Sequence, residues 1–393
     1  MIYLDVTAAA RSPITCGIPR TIRRLYTALQ ALQPVTPLTW SPRYRSYCRL
    51  GDSERRFLEK PFARHGRAMS DPSAVGRQWH QIIARRFSQR RSVVSLDELC
   101  QPTQMLFMTD VCEGQRAAWL EHAADRGQLQ MVALFHDAIP HLRPDLTPQF
   151  RRQDFDSYLR NLARFHLVIT ISHESREALL AAWQTLSYQP VPVVIEPWPA
   201  EFGPRGTADL SRFEQRRVLY VSTLDPRKNH LVLFEACAQL WREGHRFELD
   251  LIGRRLSERR ASAPILSALK RLQRGGYPVR WHRQVSDEAL VEAYRDCSFT
   301  VYPSLMEGFG LPIHESLWFG RPCVCGTNGA LGEVAAGGGC LPCDQTRPDS
   351  LATAVRQLLT DRALYTQLAE EAERRPFRSW LQYAEALQQH CFP

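Results

Sequence analysis

The chain lacks any run of about 18 apolar residues, which excludes a membrane-spanning helix. It also lacks a basic stretch ahead of an apolar core at its amino terminus. "MIYLDVTAAARSP" therefore reads as a first strand rather than a signal peptide, and the expected location is the cytoplasm. Cysteine is too sparse for a disulfide scaffold: eleven in 393 residues, an odd number, point to reduced thiols. Cys323-x-Cys325 and Cys340-x-x-Cys343 sit in the apolar runs "PCVCGT" and "GCLPCD", which resemble buried strands. They lack the paired C-x-x-C knuckles of a zinc site, so no metal is expected. Lysine is scarce as well. Of 50 basic residues only Lys60, Lys228 and Lys270 are lysines, so a lysine inside a motif is less easily a random basic choice.

What is present fits a soluble globular protein, with 44% apolar and 23% charged residues. The length suits two domains of roughly 150 to 200 residues each. The net charge is +9, and residues 41–92 alone, with 13 basic and four acidic residues, hold an excess of that size. Within them "GRQWHQIIARRFSQRR" places Trp79, Ile82, Ile83 and Phe87 on one helical face among arginines. That pattern suits an anionic membrane surface and equally suits a packed helix with a solvated basic face. No nucleic-acid motif accompanies the charge, and nucleic acid is not an expected partner.

Strand-like runs alternate with helical ones throughout, the signature of α/β units on parallel sheets. "MIYLDVT" leads to a helix over about residues 20–32 and then to "PVTPLTW". After the basic region come "MLFMTD", "MVALFHD", "FHLVITIS" and "PVVIEP". The proline- and glycine-rich stretch "PWPAEFGPRGTADLSRFEQ" interrupts this pattern and reads as a linker. "RVLYVST", "FELDLIG", "VRWHRQV", "FTVYPS" and "PCVCGT" then build a second sheet. Two doubly wound domains facing across a cleft are expected, residues 1–205 and 206–375. An amphipathic helix in 376–393 follows, carrying Trp380, Tyr383 and Leu387 on one face. Ligands in such sheets bind at the carboxyl ends of the strands.

Three motifs stand at such strand ends. In "PSLMEGFGLPIHESLWFG", Pro312 suits the start of a helix and Gly320 its end. Gly308 and Gly310 free the backbone, so that amides from about Gly310 onward form an anion site. Glu307 precedes the glycines and Glu315 is expected in the first helical turn. Carboxylates bind hydroxyls and not phosphates, so amides flanked by carboxylates describe a sugar nucleotide. In "STLDPRKNH", Arg227 and Lys228 are spaced to neutralise a diphosphate. In "VALFHDAIP", His136 and Asp137 end a strand and could face the cleft, although a lone His-Asp pair is more often structural than functional.

The run "EGFGLPIHE", together with "DPRKN" and "HDAIP", resembles the family 4 retaining glycosyltransferases of GT-B fold, mannosyltransferase-like members of bacterial polysaccharide and lipopolysaccharide pathways. The likeness is strongest from about residue 217 to 344 and thinner over the amino-terminal half. It implies that Glu307 contacts the donor sugar's hydroxyls, that the backbone of Gly310 and Leu311 holds the sugar or its β-phosphate, and that Glu315 binds ribose. It also implies that Arg227 and Lys228 stabilise the departing diphosphate without a metal or other cofactor, and that His136 lies beside the reacting carbon. Gly308, Phe309, Pro312, Asp137 and Gly17 complete the implied substrate-binding set, and the last helix is implied to cross back to the first domain.

The chain departs from the family's pattern at Ser222 and Thr223, at Arg283 before Gln284 near the implied nucleotide base, and at the single Gly17 of "CGIPRTIRR". The resemblance thus implies a nucleotide diphosphate sugar donor, GDP-mannose first and UDP-, dTDP- or other GDP-sugars as alternatives. It further implies a glycan or lipid-linked acceptor, with the protein cytoplasmic or peripheral on the inner face of the membrane. A sugar-nucleotide epimerase and a non-catalytic sugar-nucleotide-binding protein remain alternatives of other classes.

Overall fold

A computed structural model describes residues 1–11, 17–59, 92–101, 103–148, 150–256, 259–283 and 285–391. The basic helical face expected at Trp79, Ile82, Ile83 and Phe87, and Gln284, lie outside the described residues.

The first sheet has seven strands in the order β3-β2-β1-β4-β5-β6-β7. They are β1 Ile2–Asp5, β2 Val35–Ser41, β3 Ser46–Arg49, β4 Met105–Met108, β5 Gln130–Phe135, β6 Leu167–Thr170 and β7 Val193–Ile195. All pairings are parallel except β2 with β3, an antiparallel hairpin in which Leu38 faces Arg49. That edge strand falls where the sequence shows only the start of the basic region. Its turn places Arg45 at φ 47.

The parallel strands are apolar on successive residues because helices cover both faces, and the two-residue period splits them between two cores. Ile2 and Leu4, Met105 and Phe107, Val132 and Leu134 enter one core. Tyr3, Leu106 and Met108, Met131 and Phe135 enter the other.

The second sheet is wholly parallel, in the order β10-β9-β8-β11-β12-β13. Its strands are β8 Arg217–Val221, β9 Glu248–Ile252, β10 Val279–His282, β11 Phe299–Tyr302, β12 Cys323–Cys325 and β13 Cys340–Pro342. This is the doubly wound order, and the chain reverses direction across the sheet between β8 and β11. The corresponding reversal in the first sheet lies between β1 and β4. The register pairs Val221 with Ile252 and Tyr302 with Cys325, so the carboxyl ends open together. Cys323, Cys325, Cys340 and Cys343 are free, buried thiols on or beside the last two strands.

The last helix, Trp380–Cys391, leaves the second domain and packs on the first. Trp380, Tyr383 and Leu387 share a core with Ile22 and Leu25 of helix Ile18–Leu32. Two carboxylates of the inter-domain stretch anchor its start: Glu196 pairs with Arg378, and Glu201 Oε2 accepts the Trp380 amide at 2.8 Å. Leu387 is 1% exposed in that core, whereas Leu231 is 46% exposed. Leu387→Ala should cost about 2–5 kcal/mol, measured by urea unfolding. Leu231→Ala should change stability by less than about 0.5 kcal/mol.

Candidate functional site

The two sets of strand ends face each other across a cleft of about 420 Å³. Every site residue singled out in the sequence lines it. Gly17, His136 and Asp137 come from the first domain; Arg227, Lys228, Glu307 to Pro312 and Glu315 come from the second.

The "DPRKN" loop is shaped by its own residues. Asp225 caps a turn of 3₁₀ helix over Pro226–Lys228, its Oδ1 accepting the Arg227 amide at 2.9 Å, and Asn229 closes the turn at φ 57. The two basic side chains then converge on one carboxylate. Arg227 Nη1 donates to Glu307 Oε2 at 2.8 Å and Lys228 Nζ pairs with Oε1. Tyr302, the last residue of β11, accepts from Lys228 Nζ at 2.8 Å and donates to Glu307 Oε1 at 3.1 Å. Burial alone would raise the Glu307 carboxyl, but Arg227 and Lys228 overcome it and hold the group at about 2. Burial and the adjacent Arg227 push the Lys228 ammonium down, against the pull of Glu307. The pairing of Glu307 with the two cations was not legible in the sequence, which assigned it to sugar hydroxyls and them to phosphate.

The loop after Glu307 runs against the first domain. A Cβ on Gly308 would lie 2.2 Å from the His136 carbonyl oxygen and 2.9 Å from Asp137 Cβ, so only glycine permits this approach. Two serines that the sequence reading missed fasten it. Ser172 Oγ donates to the Gly308 carbonyl at 2.6 Å while accepting the Ser175 amide at 3.0 Å. Ser175 Oγ lies within hydrogen-bonding distance of both the His136 and Gly308 carbonyls, at 2.7 and 3.0 Å. Ser172 caps helix His173–Thr185, so the S-x-x-S spacing after strand "LVIT" was a visible signal for a cap but not for a domain contact.

Gly310, at φ 83, turns the chain into helix Leu311–Trp318. The Ile313 and His314 amides close back on the Gly310 carbonyl at 2.9 and 3.4 Å, so the amides placed for an anion are those of Gly310 and Leu311. Glu315 is the fifth helical residue rather than part of the first turn, which removes the helix dipole as the reason for its position. It is 2% exposed, pairs with Arg20 of the first domain, and accepts the Tyr294 hydroxyl at 2.7 Å.

His136 Nε2 faces the Thr109 carbonyl oxygen at 2.8 Å, which requires the proton on Nε2 and leaves Nδ1 as an acceptor. Among the described residues Nδ1 has no hydrogen-bond partner, although it is buried. Asp137 Oδ1 accepts the Ile139 amide at 3.0 Å and shapes the loop. Ser222, Thr223, Arg254 and Arg283 also line the cleft, the last with its guanidinium carbon 4.9 Å from the Trp281 ring centroid.

With a folded-state value of about 2 against an ordinary 4.5, the Glu307 carboxylate adds stability that is complete above about pH 4.5 and is lost as pH falls towards 2. Glu307→Gln leaves two partly buried cations without their countercharge. It should destabilise the protein at pH 7 by about 3–5 kcal/mol and flatten that acid limb, as read by thermal melts between pH 2 and 7.

Residues 209–375 match the family of glycosyl transferases group 1. The O-antigen chain mannosyltransferase B of Escherichia coli is 30% identical over 252 residues, covering 62% of this chain and 64% of that protein. A serotype-specific mannosyltransferase of Escherichia coli is 31% identical over 176 residues, 43% of this chain and 20% of that one. The chain therefore spans less than two thirds of the curated relatives it matches. Among solved structures, Anabaena HepE in complex with UDP and glucose superposes with a TM-score of 0.68 at 15% identity, over 99% of this chain and 98% of that one. Sucrose-phosphate synthase from Thermosynechococcus elongatus does so with 0.68 at 17% identity, over 99% and 97%. At such identities the likeness is one of fold. The two sheet domains share the GT-B fold of these structures, and residues 209–375 within it match the group 1 glycosyl transferases.

Proposed function

We propose that this chain moves a hexose, with mannose from GDP-mannose the first donor to test, from a nucleotide diphosphate sugar to a growing or lipid-linked glycan, with retention at the anomeric carbon. One observation carries the reading: Arg227 and Lys228 converge on Glu307 at the strand ends, in the cleft that His136 also lines. A diphosphate outcompetes one carboxylate for two cations because it brings more charge and more acceptor oxygens. Glu307, released, accepts from sugar hydroxyls, and His136 Nδ1 accepts from another. The amides of Gly310 and Leu311 meet the phosphate or the sugar, and Glu315 takes the ribose hydroxyls.

Arg227 and Lys228 are fixed cations aimed at charge that grows on the leaving phosphate, the largest kind of catalytic contribution. In the step itself the bond from the anomeric carbon to the phosphate oxygen breaks and a bond to the acceptor oxygen forms on the same face. The acceptor's proton passes to the departing phosphate, so no side-chain nucleophile is needed. The low value of Glu307 supports this and argues against an acid/base epimerase, whose carboxylates must titrate near the working pH. The intact set of Arg227, Lys228, Glu307 and Glu315 argues against a silent binding protein. The curated relatives, named as mannosyltransferases, support the choice of sugar.

Incubated with GDP-mannose, UDP-glucose, dTDP-glucose and ADP-glucose, the protein should slowly hydrolyse one of them without acceptor; inertness towards all four would sink the reading. Lys228→Ala should weaken nucleoside diphosphate binding about 10- to 100-fold, the loss of one charge-assisted contact, and unchanged affinity would remove Lys228 from the site.

A lipid-linked acceptor gives the excess positive charge of residues 41–92 a role at an anionic bilayer, each basic residue contributing about 1 kcal/mol near the surface. No helix among the described residues is long and apolar enough to cross a membrane. Flotation with anionic vesicles should carry the protein, and neutralising Arg85, Arg86, Arg90 and Arg91 should reduce it; flotation that ignores both vesicle charge and these arginines would end the idea.

A further inference from the structure

Helix Ile18–Leu32 begins at Gly17 on the cleft wall of the first domain, with Pro19 in its first turn. The next residue, Arg20, reaches across the domain boundary to Glu315. The side chains of this ion pair are 9% and 3% exposed. The Arg20 guanidinium carbon also lies 4.1 Å from the centroid of the Phe202 ring, which fixes the arginine from its other side. The remaining Glu315 oxygen, Oε2, accepts from Tyr294. Both oxygens of a carboxylate that lines the cleft are thus engaged, one from each domain.

Two vicinal hydroxyls bind a carboxylate by donating to its oxygens, and Arg20 now holds one of them. We propose that Arg20 occupies on Glu315 the place that the donor's ribose hydroxyls take, so that nucleotide binding and the Arg20–Glu315 tie exclude each other. The inference rests on the donor reading above and adds to it a residue of the first domain with a defined exchange.

The exchange conserves charge. A buried carboxylate stripped of its cation is costly, and a buried cation stripped of its anion equally so. A nucleoside diphosphate brings hydroxyls to the carboxylate and negative oxygens into the same cleft, so neither Glu315 nor Arg20 is left bare. Free phosphate lacks the hydroxyls and a free sugar lacks the charge; neither completes the swap. Because the tie joins the two domains, its release on binding also frees one contact between them. The donor then loosens the tie in the nucleotide end of the cleft while the Gly308 contact with His136 persists at the other.

The test compares GDP with 2′,3′-dideoxy-GDP by isothermal titration, or the UDP pair if UDP is the diphosphate that binds. In the wild type the hydroxyls must displace Arg20, so their advantage over the dideoxy nucleotide is blunted. Arg20→Met removes the competitor and should widen the affinity ratio about tenfold. Arg20→Lys, a point charge that fits a carboxylate less well than a fork, should widen it by a smaller factor. An unchanged ratio in either folded variant overturns the proposal, as does an equal loss for both nucleotides, which would make Arg20 a phosphate ligand only. If Arg20→Met does not fold, the lysine variant decides by the same ratio. Failure of every nucleoside diphosphate to bind the wild type would instead strike the donor reading, a separate outcome.

Discussion

Arg227 and Lys228 stand side by side, partly buried at the cleft, and Glu307 between them makes this arrangement tolerable. Two adjacent buried cations repel, and burial opposes each of them; a shared carboxylate reverses the balance. The result is a preformed anion site that is neutralised from within. It costs little to keep empty, because the cations have a partner. On the function proposed above it also costs little to fill, because a diphosphate would displace one carboxylate that then takes sugar hydroxyls. Tyr302 at the end of β11 sets the height of this trio, since its hydroxyl touches both Lys228 and Glu307.

The trio belongs to one domain, and its use requires the other. Gly308 supplies the junction. With no side chain it lets its loop touch the His136 and Asp137 backbone, and the hydroxyls of Ser172 and Ser175 lock the two carbonyls in place. His136 is then held with its Nε2 spent on Thr109 and its Nδ1 buried without a partner among the described residues. The last helix adds a second bond between the domains, far from the chemistry, through Glu196 with Arg378 and through Glu201 with Trp380.

Much of this was legible in the sequence wherever a local rule dictates the backbone. The glycines of "EGFGLP" announce a close approach and a left-handed turn, and Gly308 and Gly310 supply one of each. The turn residues of "DPRKN" fix where two cations point, and the alternation of apolar runs fixes two parallel sheets. What stayed hidden depends on partners distant along the chain. Ser172 and Gly308 are separated by 136 residues, and Lys228 and Glu307 by 79; no spacing rule links them. The antiparallel strand Ser46–Arg49 was masked by the charge of its surroundings. Glu315 was placed in the first turn, one residue too early, because Pro312 marks a helix start only to within a residue or two.

The same distance in sequence explains why the carboxylates look alike in the motif and differ in the fold. Glu307 meets two cations from its own domain, close to the strand ends. Glu315 meets an arginine from the other domain and a tyrosine from its own. A run from residue 307 to 315 thus sets two acids in one cleft, and the fold satisfies each with partners of a different origin: two cations of its own domain for Glu307, and one cation from across the boundary for Glu315.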